Sequence, residues 1–84
     1  MRHAGPATLD ELEPLLATLR QIPALVEKKR GIFYRASRSF VHFHEDPTGP
    51  YADVRFTDDF ERVRVATPEE RESLMKRIST LFPA

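Results

Sequence analysis

The fold is decided by residues 31–65, which read GIFYRASRSFVHFHEDPTGPYADVRFTDDFERVRV. Apolar and polar residues alternate along this stretch, and a period of two is typical of β-strands with one buried face. Turn-forming residues interrupt the alternation, most densely in DPTGP. Because the connections are short, the strands should form an antiparallel meander. The pattern therefore predicts four strands, at residues 32–36, 39–45, 51–56 and 60–65.

A helix is predicted on the N-terminal side of the meander. Thr8 and Glu11 have the spacing of a capping box, and leucines follow at helical intervals. Proline disrupts a helix interior, so we expect this helix to be kinked or split at Pro14 and Pro23.

Short segments precede and follow that helix. Residues 1–7 contain a glycine and a proline, and we expect them to be a disordered start. Residues 24–29 end in lysines, just before Arg30 and Gly31, which is typical of a helix C-terminus. We therefore expect a second, short helical piece there.

The C-terminal helix has the clearest start signal in the chain. Thr67-Pro68-Glu69-Glu70 combines an N-cap threonine, a proline in the first turn and a capping box. The helix should span residues 68–81. The predicted fold is one α+β domain, residues 1–84, with two layers: an N-terminal helix, a four-stranded antiparallel meander and a C-terminal helix.

The composition excludes several classes of protein. The 84 residues include no cysteine, which rules out disulfides, thiolate zinc sites and cysteine nucleophiles. Lysine plus arginine and aspartate plus glutamate both total 13, so the strong basic charge of a dedicated nucleic-acid binder is absent. No apolar run approaches the ~20 residues that span a bilayer, and the N-terminus carries no secretory signal. We expect a cytoplasmic protein without a membrane partner.

Strand alternation assigns the side chains to two faces of the sheet. The aliphatic side chains of the strands, together with Tyr34, Phe43 and Phe56, should face the core. The outer face should carry a basic and aromatic set: Phe33, Arg35, Phe40, His42, His44, Tyr51, Asp53, Arg55, Arg62 and Arg64. Placing Val63 opposite Val54 would bring Arg55 and Arg62 face to face. Like charges in that arrangement repel, and such an unfavourable local choice indicates a functional surface.

The first candidate on this face is a metal site formed by His42, His44 and Asp53. A His-x-His pair on a strand places both imidazoles on one face, and Asp53 is expected across the sheet from His42. Two imidazoles and one carboxylate suit zinc or non-haem iron with open positions. The alternative is two surface histidines, one paired with Asp53, and no cofactor.

The second candidate is a site for a small anion or phosphate, formed by Arg35, Arg55, Arg62 and Arg64 with His42 assisting. Guanidinium groups match carboxylate and phosphate oxygens. Arginines interleaved with aromatic rings also suit single-stranded nucleic acid, although the neutral net charge disfavours that ligand. The alternative is a solvated sheet face with weak ion pairs.

The third candidate is a protein interface that uses Phe33, Phe40 and Tyr51. Aromatic residues and arginine are enriched at interfaces, and small domains gain stability by association. The partner would be another protein or a second copy of this chain, giving a homodimer.

The sequence therefore favours a small cytosolic binding or interaction domain that works through its outer sheet face. No catalytic residue is assigned, because the chain has no glycine-rich phosphate loop and no nucleophile elbow. The alternative interpretation is a metal-dependent or His–Asp acid–base enzyme acting on a small anion, with His42 oriented by Asp53.

Three segments of the chain resemble a family of short bacterial proteins. They are IFYR at residues 32–35, SFVHFHED at residues 39–46 and YADVR at residues 51–55. The resemblance implies no activity, cofactor or functional residue, so function has to be argued from the residues themselves.

Overall fold

The computed structural model describes residues 1–83, an α+β fold with an antiparallel sheet. In chain order its elements are β1 (Arg2–His3), α1 (Pro6–Glu11), α2 (Glu13–Arg20), β2 (Leu25–Lys29), β3 (Ile32–Arg35), β4 (Arg38–Asp46), β5 (Gly49–Val54), β6 (Glu61–Arg64) and α3 (Pro68–Ser79). None of the helices within residues 1–83 is long and apolar enough to cross a membrane.

In the part of the chain that the structure describes, the sheet has six strands: a five-stranded antiparallel meander and the short strand β1. Its order is β2-β3-β4-β5-β6, with every neighbouring pair antiparallel. The four strands predicted from alternation correspond to β3–β6. The very short β1 pairs with β4 through Arg2↔Glu45 and His3↔His44, beyond the residues of β4 that pair with β3.

Two expectations for the N-terminal half are wrong. Residues 24–29 do not form a helical piece: Leu25–Lys29 is β2, an edge strand paired with β3. Pro23 precedes this segment, and Gly31 (φ 81°) provides the positive φ of the tight turn that follows it. Residues 1–7 are not a disordered start, because Arg2–His3 is paired and Pro6 already begins α1.

The observed helix bounds agree with the predicted ones in part. The N-terminal helix is split as expected, since α1 ends at Glu11 and α2 carries Pro14 in its first turn. The Thr8–Glu11 capping box does not form, because α1 starts earlier, with Gly5 as its N-cap. On α3 the Thr67–Glu70 capping box is confirmed, and this helix ends at Ser79, two residues before the predicted Leu81.

The hydrophobic core lies between the helices and one face of the sheet. Its fully or nearly buried side chains come from every layer: Leu12, Leu15, Leu16, Leu19, Leu25, Phe33, Phe40, Val41, Phe43, Ala52, Val54, Val65, Leu74 and Ile78. They include Val41 of β4 and Ala52 and Val54 of β5, which the alternation predicted to face the core. The opposite face of β4 and β5 is left to polar side chains.

A β-bulge places two predicted outer-face residues in this core. Phe33 pairs with Val41 and Tyr34 with Ser39, which leaves Phe40 as an extra residue in β4. The bulge breaks the alternation, so Phe33 is 0% exposed and Phe40 2% exposed. The expectation that Phe33 and Phe40 lie on the outer face, with Tyr34 in the core, is therefore wrong.

The carboxylate of Glu27 ties the β2–β3 hairpin to α2. It accepts hydrogen bonds from Arg20 Nε at 2.5 Å, from Arg20 Nη2 at 3.1 Å and from the Gly31 N–H at 2.9 Å. The bonds from Arg20, and to a lesser degree the one from Gly31, hold the pKa of Glu27 below its ordinary value against the opposing effect of burial.

We expect Glu27→Gln to lower the free energy of unfolding by about 1–2 kcal/mol at neutral pH, because a charge-assisted hydrogen bond is lost. In the unsubstituted chain this contribution is present above the ordinary glutamate pKa of 4.5. It is lost as the pH falls through the lower pKa of the folded state. Urea unfolding at neutral pH and at about pH 3 should therefore give a difference between the two chains that shrinks in acid.

The matched control is Glu72→Gln, which removes an exposed carboxylate lying 3.5 Å from Lys76. Its effect should stay within about 0.5 kcal/mol. Equal losses in the two variants, or a Glu27 effect that persists unchanged in acid, would contradict the role assigned to Glu27.

Candidate metal centre

Two adjacent strands bring three polar side chains to one place on the outer face. In β4 the neighbours Val41 and Phe43 are buried in the core, so His42 and His44 point the other way. In β5 the register sets Asp53 opposite His42, as the sequence predicted. His42, His44 and Asp53 therefore form a compact group, here called the triad.

The donor atoms of the triad converge. Asp53 Oδ2 lies 3.2 Å from His44 Nε2 and 3.5 Å from His42 Nε2. One potential ligand atom from each residue lies within 4.8 Å of the others. Ligands bound at about 2.1 Å to a tetrahedral ion stand about 3.4 Å apart, so the two Asp53 distances match metal coordination.

The imidazole of His44 lacks hydrogen bonds. Its side chain is 13% exposed, and neither Nδ1 nor Nε2 has a hydrogen-bond partner among the described residues. Asp53 Oδ2 is close to Nε2, but the orientation is not that of a hydrogen bond. An unpaired buried polar atom costs about 1–3 kcal/mol, so these nitrogens lower the free energy of unfolding of the metal-free chain.

Both histidines of the triad are biased toward the neutral form. Burial is the main cause that lowers the pKa of His42, and the neighbouring His44 adds to it. Burial also lowers the pKa of His44, against the opposing attraction of Asp53. A neutral imidazole keeps a lone pair for a metal ion, whereas a protonated one cannot bind it.

Asp53 is held in place by Arg62. Arg62 Nε and Nη2 donate to the two carboxylate oxygens at 2.8 and 2.9 Å, a bidentate pair. This pair is the first cause that lowers the pKa of Asp53, so the carboxylate stays ionised although its side chain is only 11% exposed. A carboxylate offers more lone pairs than Arg62 uses, which leaves capacity toward the histidines.

Sequence reasoning missed a third histidine. β1 places His3 beside the triad, with its ring stacked on His44 at a centroid distance of 4.6 Å and 6.1 Å from His42. His3 is exposed and closes one side of the cluster. A two-residue strand is too short to show an alternating pattern, so the local sequence does not predict it.

Phe60 borders the triad on another side. Its ring meets His42 edge-on at 4.9 Å, and the guanidinium of Arg55 lies 4.2 Å above its centroid. Phe60 is 38% exposed, one of the few large apolar side chains at the surface. The rings of His3 and Phe60 therefore cover the triad on two sides.

The rest of the predicted outer-face set is dispersed. Arg62 lies opposite Asp53, and Arg64 opposite Tyr51, because Val63 pairs with Ala52 and not with Val54. Arg55 and Arg62 consequently do not face each other, and the predicted repulsion between them is absent. β5 ends at Val54, and residues 55–60 form the connection to β6.

Most of these side chains already have partners. Arg64 pairs with Glu70 of α3 at 3.2 Å, and the Tyr51 hydroxyl lies 2.8 Å from that of Thr48. Arg35 and Arg55 lie near the opposite end of β4. Since Phe33 and Phe40 are buried, the described residues do not assemble one continuous basic and aromatic face.

No protein-family model, no curated protein and no solved structure matches the chain.

We expect His44→Phe to raise the free energy of unfolding of the metal-free protein by about 1 kcal/mol, because two unpaired buried nitrogens are replaced by carbon. Urea unfolding in the presence of EDTA measures the change. His3→Phe is the matched control, since its exposed ring makes the same substitution without removing a buried polar atom, and it should be neutral. A loss of more than about 1 kcal/mol in His44→Phe would show that this imidazole stabilises the fold.

Proposed function

We propose that this chain binds one divalent transition-metal ion, Zn²⁺ foremost, through His42, His44 and Asp53. The observation that carries the proposal is the His44 imidazole, whose two buried nitrogens have no well-formed hydrogen bond and whose Nε2 lies 3.2 Å from a carboxylate oxygen that is also near His42. A metal ion would be bound by one of the two unpaired His44 nitrogens and by both neighbouring side chains at once.

The donor set favours a particular class of ion. Imidazole nitrogens suit zinc, iron, copper and nickel, whereas magnesium and calcium prefer an all-oxygen shell. Two imidazoles and one carboxylate leave at least one coordination position for water. Three protein ligands with an open position are typical of catalytic zinc sites, whereas structural sites have four protein ligands. Water on such an ion is more acidic than bulk water, so a hydrolytic role on a small substrate is the activity this site would support.

Electrostatics is compatible with a bound cation. Of the arginines expected on this face, only Arg62 touches the triad, and its charge is already paired with Asp53. Its side chain is 48% exposed, so solvent screens its repulsion toward an ion. Arg62 orients the carboxylate, as the hydrogen-bond partners of metal ligands generally do.

The interaction role predicted from the sequence is less well supported by the geometry. Phe33 and Phe40, two of the three aromatic anchors expected at an interface, are buried within the chain. Association into a homodimer, or with another protein, stays a prediction, which light scattering with and without Zn²⁺ would test.

Metal binding is tested by calorimetric titration of EDTA-treated protein with Zn²⁺ and by the visible absorption of its Co²⁺ form. We expect one ion per chain. We expect affinity to fall by about a hundredfold or more in His44→Phe and in Asp53→Asn, since each removes a ligand. The Co²⁺ spectrum should change in intensity in both variants.

The matched control is Asp59→Asn, which removes an exposed carboxylate in the connection between β5 and β6. Its affinity for Zn²⁺ should be unchanged. If Zn²⁺ bound equally well to all three variants, or did not bind the unsubstituted chain below about millimolar concentration, the proposal would be overturned.

A further inference from the structure

A second concave site lies at the other end of the sheet. The cavity has a volume of about 330 Å³ and lies between the β3–β4 turn and the start of the β5–β6 connection. Three arginines line it, Arg35, Arg38 and Arg55, together with Ser39 and Thr57. Arg35 and Arg55 were expected on a broad outer surface, whereas the structure gathers them into a pocket with Arg38.

The arginines of this pocket are short of acidic partners. Among the described residues, the one carboxylate within 4.0 Å of any of them is Asp58, whose Oδ1 lies 3.9 Å from Arg38 Nη1. The Asp58 side chain is fully exposed, so this pair contributes little. By contrast, Arg62, Arg64 and Arg77 each have a carboxylate within 3.2 Å.

Strand pairing places two of these arginines, Arg35 and Arg38, next to each other. Arg35 and Arg38 are directly opposed in the β3–β4 ladder, an arrangement that is unfavourable for like charges. The turn between them contains Ala36 at a φ of 54°, a left-handed conformation that costs energy for a residue with a Cβ. The positive φ serves the tight two-residue turn, whereas the opposed arginines do not help the chain to fold and indicate a functional constraint.

Two of the guanidinium groups are pre-positioned by aromatic rings. Arg35 lies 4.6 Å above the Phe82 ring and Arg55 lies 4.2 Å above the Phe60 ring. Arg55 is fixed further by hydrogen bonds from its Nε to the Ser39 carbonyl at 2.9 Å and from its Nη1 to the Asp58 carbonyl at 2.6 Å. A stacked guanidinium keeps its in-plane N–H edge free, so the remaining donors can bind a ligand.

We propose that this pocket binds the phosphate group of a small phosphorylated molecule. A phosphate carries close to two negative charges and enough oxygens to accept from three guanidinium groups, whereas one arginine satisfies a carboxylate. Two hydroxyl-bearing residues in the lining can add neutral hydrogen bonds. The cavity is near the lower limit of ligand pockets, about 300 Å³, which fits a small molecule.

This site shares no proposed ligand-binding residue with the metal centre, and it is tested separately. The probe is inorganic phosphate, titrated into metal-free protein in EDTA and followed by the NMR signals of the arginine Nε–H groups and by calorimetry. Shifts should be confined to Arg35, Arg38 and Arg55. Binding should weaken as the salt concentration rises, because the contacts are between charges.

The double variant Arg35→Gln/Arg38→Gln should weaken phosphate binding by about tenfold or more, since it removes two charged donors. The control Arg64→Gln/Lys76→Gln lowers the net charge by the same amount away from the pocket, and it should change the affinity less than twofold. Thermal unfolding of both variants checks that they remain folded.

Three outcomes would overturn this proposal: no phosphate binding by the unsubstituted chain up to tens of millimolar, equal weakening in the two double variants, or shifts outside the pocket. Binding of a single-stranded oligonucleotide without binding of inorganic phosphate would also overturn it, because stacking on aromatic rings would then dominate. Failure of the metal proposal would leave each of these results unchanged.

Discussion

The pleat of two neighbouring strands is the constraint on which the structure depends. Val41 and Phe43 in β4, and Ala52 and Val54 in β5, are each at most 3% exposed and bind the sheet to the helices. Because side chains alternate between faces, burying these four obliges the residues between them to point outward. A slip of one residue would bury imidazoles and a carboxylate in their place, so the register is strongly specified. The convergence of the triad is a consequence of how the core packs.

Around this fixed centre the sheet is divided into two chemically different ends. Toward one end, β1 adds His3 to the triad, and one paired arginine holds its carboxylate. Toward the other, the β3–β4 turn and the β5–β6 connection gather arginines that lack close acidic partners. Phe60 contacts both regions, through the ring of His42 and the guanidinium of Arg55. A cation site and an anion site can thus coexist on a chain with a formal net charge of zero.

The strictly alternating parts of the chain could be predicted from the sequence, because burial there is decided locally. The pairing of His42 with Asp53 follows from this alternation, and the start of α3 at Thr67 follows from its local capping box. The bulge at Phe40 could not be placed, since two adjacent apolar residues satisfy either face and only packing against Phe82 and the core chooses between them. The two-residue β1 depends on pairing with the distant β4, whereas the edge strand β2 pairs with the adjacent β3 and was missed because its lysines and Gly31 also fit a helix C-terminus. The arginines have other neighbours than predicted because the observed β5–β6 register differs by two residues from the predicted one. Arg55 consequently lies outside the β5–β6 ladder.

The most direct measurement of the central claim is anomalous diffraction at the zinc edge from crystals of the protein grown with one equivalent of Zn²⁺. We expect a single strong peak about 2.0–2.2 Å from a nitrogen of His42, a nitrogen of His44 and an oxygen of Asp53. Zinc bound only at exposed carboxylates or at His3, with the triad empty and His44 still without a ligand, would contradict it.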